Sequence, residues 1–188
     1  KAFGLEHVKV AKGLNNLGLL YEAQGRYGSA EPLYKQSLGI VEKILPPNHP
    51  DIALNLNNLA GLYQAQGRYE EAEPLFKQAI VIGEKTLGTD HPDVARTLNN
   101  LGLVYQAQGR YLDAEPLFKR ALLVDEKVLG MDHPFIAAII NNLGLVNQAI
   151  GRYVEAEALF KRALLIREKA LGPDHPDIAQ GLNNLGML

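Results

Sequence analysis

From Val94 the apolar residues fall at Leu98, Leu101 and Tyr105, steps of four, three and four that keep them on one face of a helix. Gly109 follows, in the place glycine takes just past a helix end. This predicts a first helix, A, over about Pro92 to Gln108. A second stripe, Ala114, Leu117, Phe118, Ala121 and Leu122, then Val128 and Leu129, predicts helix B over about Leu112 to Leu129, ended by Gly130. Asp132-His133-Pro134 then reads as a turn, with the aspartate as cap and the proline suited to the first turn of the next helix.

The same pattern recurs along the chain. An asparagine pair stands at Asn15-Asn16, Asn57-Asn58, Asn99-Asn100, Asn141-Asn142 and Asn183-Asn184, always 42 residues apart. Asp51–Pro92 aligned with Asp93–Pro134 is identical at roughly two-thirds of positions. The whole chain, 1–188, therefore reads as one array. Full units cover about 11–52, 53–94, 95–136 and 137–178, and a partial fifth covers 179–188. Residues 1–10 fit the end of a preceding loop, because Gly4 and His7 are in phase with Gly130 and His133. A piece cut from a longer array is expected.

Small residues mark where helices should touch. Gly18, Ala60, Gly102, Gly144 and Gly186 share one slot on helix A, and Ala30, Ala72, Ala114 and Ala156 share one on helix B. Tyr27, Tyr69, Tyr111 and Tyr153 follow the glycine stop and are expected to cover the turn. Pro116, like Pro32 and Pro74, falls early in helix B, where it costs at most about one hydrogen bond. A single helix pair cannot bury both its faces, so the units must stack into a solenoid.

Leu98-x-x-Leu101-Gly102-x-x-Tyr105-x-x-x-Gly109-x-Tyr111-x-x-Ala114-x-x-x-Phe118-x-x-Ala121-Leu122 resembles the tetratricopeptide signature at nearly every slot. The added segment Glu126-Lys127-x-Leu129-Gly130-x-Asp132-His133-Pro134 lengthens the unit from the usual 34 or so residues. It resembles the repeat of kinesin light chains, in the style of bacterial arrays of that type. Asn147 in place of the helix A tyrosine, Ser37 in place of Ala79, and Leu45-Pro46 in place of Leu-Gly depart from the pattern. The resemblance implies an all-α fold, a right-handed α-solenoid of antiparallel helix pairs with helix A lining a concave groove. It also implies a non-catalytic scaffold that binds an extended peptide segment of a partner protein in that groove.

Arg96, Asn99, Leu103 and Gln106 form a second stripe on helix A, away from the apolar one. The resemblance places this stripe in the groove, with Asn15, Asn57, Asn99, Asn141 and Asn183 as a ladder of amides. Each amide could bond to the backbone of a bound peptide. The second asparagine of each pair is expected to face the neighbouring unit; the alternative is that both asparagines only bond between helices and hold the repeats in register. Three before the first asparagine stand Lys12, Leu54, Arg96, Ala138 and Gln180; four after it stand Leu19, Gly61, Leu103, Leu145 and Met187; seven after it stand Glu22, Gln64, Gln106 and Gln148. Variation at these slots suits recognition better than scaffolding. Lys12 and Arg96 could attract an acidic ligand side chain, a preference that kinesin light chains share, or could be solvated surface charges.

Composition narrows the alternatives. The net charge of −2 gives no electrostatic pull toward nucleic acid or anionic membrane. Cysteine is absent, so thiol chemistry and cysteine-based metal sites are excluded. No apolar run reaches the roughly 18 residues of a membrane span. All five histidines, His7, His49, His91, His133 and His175, occupy one loop slot, as a structural device would. Catalytic and metal-binding groups converge on one point instead. Neither an enzyme, a cofactor nor a metal is expected, and a cytoplasmic location is. The competing reading is a structural spacer, or an array that self-associates through uncapped ends exposing Leu182, Leu185 and Leu188.

Overall fold

The structure is a computed structural model that describes residues 7–172 and 175–188. Gly4 lies outside the described residues. Among those residues there are nine α-helices and no strand: α1 (Val8–Ala23), α2 (Tyr27–Ile44), α3 (Pro50–Ala65), α4 (Tyr69–Leu87), α5 (Pro92–Ala107), α6 (Tyr111–Leu129), α7 (Pro134–Ala149), α8 (Tyr153–Leu171) and α9 (Pro176–Gly186). Odd-numbered helices are the A helices and even-numbered ones the B helices. The chain forms two compact units, Lys1–Thr97 and Leu98–Leu188.

In the first unit α1 packs on α2, α3 on α4, and α2 on α3. Its core joins Ala11 of α1, Ile40 and Val41 of α2, Ile52 and Leu56 of α3, and Ala79 and Ile82 of α4. In the second unit α6 packs on α7, α7 on α8, and α8 on α9. There Ile136, Ala137 and Ile140 of α7 meet Ala163 and Ile166 of α8. The predicted helix A stripe, Val94, Leu98, Leu101 and Tyr105, is buried throughout. The helix B stripe needs correction at its end. Val128 and Leu129 are exposed and Val124 is buried instead, so the buried face of α6 continues from Ala121 through Val124.

The turn from helix A to helix B has one geometry in every repeat. Gly67 stands at φ +72, and its N–H bonds to the Gln64 carbonyl while the Arg68 N–H bonds back to the Tyr63 carbonyl at 2.8 Å. These bonds satisfy carbonyls that the helix end leaves open, and only glycine takes this backbone without strain. Helix B normally ends on a glycine whose N–H reaches the carbonyl four residues back, as Gly88 does to Glu84. Pro46 occupies that slot in the first repeat. Proline lacks the N–H and drives Leu45 to an extended backbone, so α2 stops one residue early at Ile44.

The cap of helix A is the histidine, not the aspartate. His49 Nδ1 accepts from the Asp51 N–H at 3.1 Å, and His7, His91, His133 and His175 do the same for the residue two further on. The repetition of histidine in this slot is thereby explained.

The shared glycine slot is where an aromatic ring of helix B lies on the backbone of helix A. A Cβ on Gly102 would stand 2.7 Å from the Phe118 ring, and one on Gly144 would stand 2.5 Å from Phe160.

Candidate functional site

The paired asparagines connect successive A helices. The Asn58 amide donates from Nδ2 to Asn15 Oδ1 at 3.0 Å, and Asn184 donates to Asn141 Oδ1 at 2.8 Å. The second asparagine thus faces the preceding repeat and binds that repeat's first asparagine. Asn15, Asn57 and Asn141 are buried, Asn99 is half-buried and Asn183 is exposed. Asn99 lacks the bond that Asn15 and Asn141 accept: its Oδ1 is buried with no hydrogen-bond partner, and so is Gln106 Oε1 further along the same stripe of α5. Gln148 Nε2 donates to the Met187 carbonyl at 3.1 Å. Gln64, Leu103 and Leu145 are half-buried.

Two pockets open beside this asparagine row in the first unit. One, of about 270 Å³, is lined by Lys12 and Asn15 of α1, Val41 of α2, and Asp51, Leu54 and Asn55 of α3. The other, of about 180 Å³, includes Leu54 and Asn57 of α3, Gly83 of α4, and Asp93, Arg96 and Thr97 of α5. Adding 42 to each residue of that first set gives the second set. The same pocket is therefore built twice, one repeat apart, with Leu54 and Asp51 contributing to both. Lys12 and Asn15 line the first of these pockets, and Asn57 and Arg96 the second.

Both cations already face an acid. Lys12 Nζ lies 3.7 Å from Asp51, and Arg96 donates to Asp93 at 2.9 Å. With the charges paired at the rim, the second pocket offers an apolar interior of Ala53, Leu54, Ala79, Leu87 and Val94.

Sequence reading missed the helix B contribution. The pocket slot of Val41 and Gly83 holds Asp125 and Arg167 in the later repeats. A position that changes chemistry at every repeat inside an otherwise repetitive helix was the available signal. It also missed the device that ties one turn to the next repeat. The Arg68 guanidinium stacks over the Tyr63 ring at 4.1 Å and donates to Glu31 of the preceding repeat at 2.7 Å. Arg26 and Arg110 stack likewise on Tyr21 and Tyr105, and Arg152 reaches Glu115 at 2.8 Å. The stacked arginines lie over the turn together with the tyrosines that start helix B: Tyr27, Tyr69 and Tyr111 are half-buried, and Tyr153 alone is exposed.

The Arg68 hydrogen bond, helped by Lys35, holds the Glu31 carboxyl down at about 2. The folded state therefore binds this proton less readily than the unfolded chain. The linked stability is present above the ordinary glutamate range and is lost as pH falls from there toward about 2. Glu31→Gln is expected to lower unfolding stability at neutral pH by up to about 1 kcal/mol. The difference should vanish in urea melts near the bottom of that range. An equal deficit at all pH values would show that the ion pair is not its source.

Family comparison agrees with this architecture. The tetratricopeptide repeat models match residues 10–51 and, in overlapping stretches, 51–127, 94–164 and 135–188. No curated protein sequence matches the chain significantly. Among solved structures, BtubC (BKLC) from P. vanneervenii is similar at 25% identity and a TM-score of 0.83, over 96% of this chain and 72% of that one. A kinesin-light-chain-type protein of Podosopora anserina with nearly identical TPR-like repeats is similar at 29% identity and a TM-score of 0.83, over 96% and 86%. Aspartyl phosphate phosphatase F from Bacillus subtilis shares the fold at 20% identity and a TM-score of 0.76, over 96% and 50%. By its sequence models, its helix pairs and these neighbours, the chain belongs to the tetratricopeptide repeat family, as an all-α array of the kinesin-light-chain type.

Proposed function

We propose that this chain binds an extended segment of a partner protein along the A-helix face, with ligand side chains seated in the inter-repeat pockets. Tetratricopeptide repeats are in general non-catalytic protein-interaction scaffolds, which supplies the class of function. No helix among the described residues is long and apolar enough to cross a membrane.

The observation that carries the reading is the repetition of one pocket in one register. Successive A helices α1 and α3 touch, and touching helices lie roughly 8–10 Å apart. An extended polyproline-type chain rises about 3.1 Å per residue with three residues per turn. Side chains about three residues apart would then point the same way and fall into successive pockets. The second pocket suits an aliphatic side chain, since its rim charges are paired internally. Asn99 Oδ1 and Gln106 Oε1 offer buried acceptors for ligand N–H groups. Asn15 and Asn141 commit Oδ1 to the neighbouring repeat, so Nδ2 is the atom they would present.

Selection of a displayed random peptide library on the protein should enrich a motif with two anchors about three residues apart. Leu54→Arg changes an exposed wall shared by both pockets and should weaken the selected peptide at least about tenfold, with helicity unchanged. Absence of any enriched motif, or equal binding by the variant, would move the assignment to a spacer or self-associating array.

A further inference from the structure

The repeat register singles out a second kind of subsite at the junction of α5, α6 and α7, within the second unit. In the first unit the slots of Asn57, Gly83, Asp93 and Arg96 line a common pocket, and the slots of Asn15, Val41, Asp51 and Leu54 do so as well. One repeat on, these slots hold Asn99, Asp125, Phe135 and Ala138. Relative to the second pocket, Arg96 to Ala138 removes a positive charge, Gly83 to Asp125 adds an acceptor, and Asp93 to Phe135 exchanges a rim carboxylate for a π face. The acid of the rim becomes a phenyl ring, the cation or leucine becomes alanine, and the floor gains a carboxylate.

Asp125 is half-buried, and among the described residues its carboxylate makes no hydrogen bond or ion pair. Burial pushes its carboxyl up, with only His133 opposing that shift. Asn99 Oδ1 is buried with no hydrogen-bond partner. Phe135 is 73% exposed and stacks on His133 with ring centroids 5.3 Å apart. A desolvated carboxylate, an orphaned amide oxygen and an open aromatic face are what an alkylammonium or guanidinium group requires.

We infer that this junction is a subsite for a lysine or arginine side chain of the bound segment, with Asp125 as its counter-ion and Phe135 as its aromatic wall. The inference rests on the peptide-binding reading and adds to it a change of chemistry along the row, from neutral pockets in the first unit to a cation-accepting one here. Asp125 would be the specificity-determining residue.

The test uses the same displayed random peptide library on the whole chain, on Asp125→Asn and on Asp125→Arg. Arginine already occupies this slot in α8 as Arg167, so the helix accommodates it. The wild-type motif is expected to fix a basic residue at one position. Asp125→Asn should weaken the selected peptide at least about tenfold while the other positions of its own motif stay the same. Asp125→Arg should replace the basic preference with an acidic one. Thermal unfolding of Asp125→Asn should be unchanged or raised, because an unpaired desolvated charge is removed. A motif indifferent to both substitutions overturns the subsite and leaves the groove standing. A clear loss of stability in Asp125→Asn overturns it too, since the carboxylate would then be structurally paired. No enriched motif on the wild type overturns the groove and the subsite together.

Discussion

Phe118→Ala is expected to remove about 3–5 kcal/mol of stability, the range for truncating a fully buried aromatic side chain. Phe118 is 0% exposed, and its ring lies directly on the α5 backbone at Gly102. Glycine there leaves no side chain that could move into the space, so the cavity would persist. Tyr34 and Phe160 sit in the same relation to Gly18 and Gly144. The loss is large against the roughly 5–15 kcal/mol that stabilises an ordinary domain. In a repeat array it should appear first as local opening, because stability is a sum of units and their interfaces. Urea unfolding gives the global number, and amide exchange in α5 and α6 gives the local one. A loss below about 1 kcal/mol would show that the helices close on the gap.

Gly102→Ala tests the same contact from the other side and should cost much less. In the second repeat the slot already holds Ala60, which is fully buried together with Phe76. The ring can therefore shift enough for a methyl group. Gly102→Leu exceeds what that shift provides and should destabilise by about 1–3 kcal/mol.

These contacts bear on what a sequence can convey. The helices, their glycine ends and the small-residue slots were legible because each has a local cause: a 3.6-residue stripe, a positive φ, or a close approach repeated at every unit. The aromatic partner of the glycine slot lies in the same repeat, yet the stripe that contains Phe118 does not by itself pair it with Gly102. What escaped was of two kinds. Some features depend on competition between equally able neighbours. Aspartate and histidine both suit a helix cap, and only the backbone decides that His49 Nδ1 faces the Asp51 N–H. Others depend on how one repeat is set against the next. The Arg68–Glu31 pair and the helix B wall at Gly83 join residues whose proximity no periodicity within one helix encodes. The candidate site is built largely from features of this second kind. For this reason the helix A half of the pockets was readable and the helix B half was not.

Asn141→Leu and Asn184→Leu should each cost about 1–3 kcal/mol, and the double substitution should cost less than their sum. Both side chains are only 6% exposed and share one hydrogen bond of 2.8 Å. Removing either leaves the other amide buried without its partner, which is more expensive than losing the bond itself. Removing both trades a polar pair for an apolar one of similar shape. A double-mutant cycle in urea should therefore return a coupling of at least about 0.5 kcal/mol. The pair joins α7 to α9, two A helices otherwise connected through α8, so it fixes their register at a point where leucines alone could slide. The same cycle separates structure from recognition. If asparagine were kept at this slot for a ligand alone, the single variants would bind peptide poorly yet unfold like the parent, with no coupling. If the bond sets register, stability falls first, and peptide affinity follows only as far as the spacing of the pockets depends on the A helices staying in step.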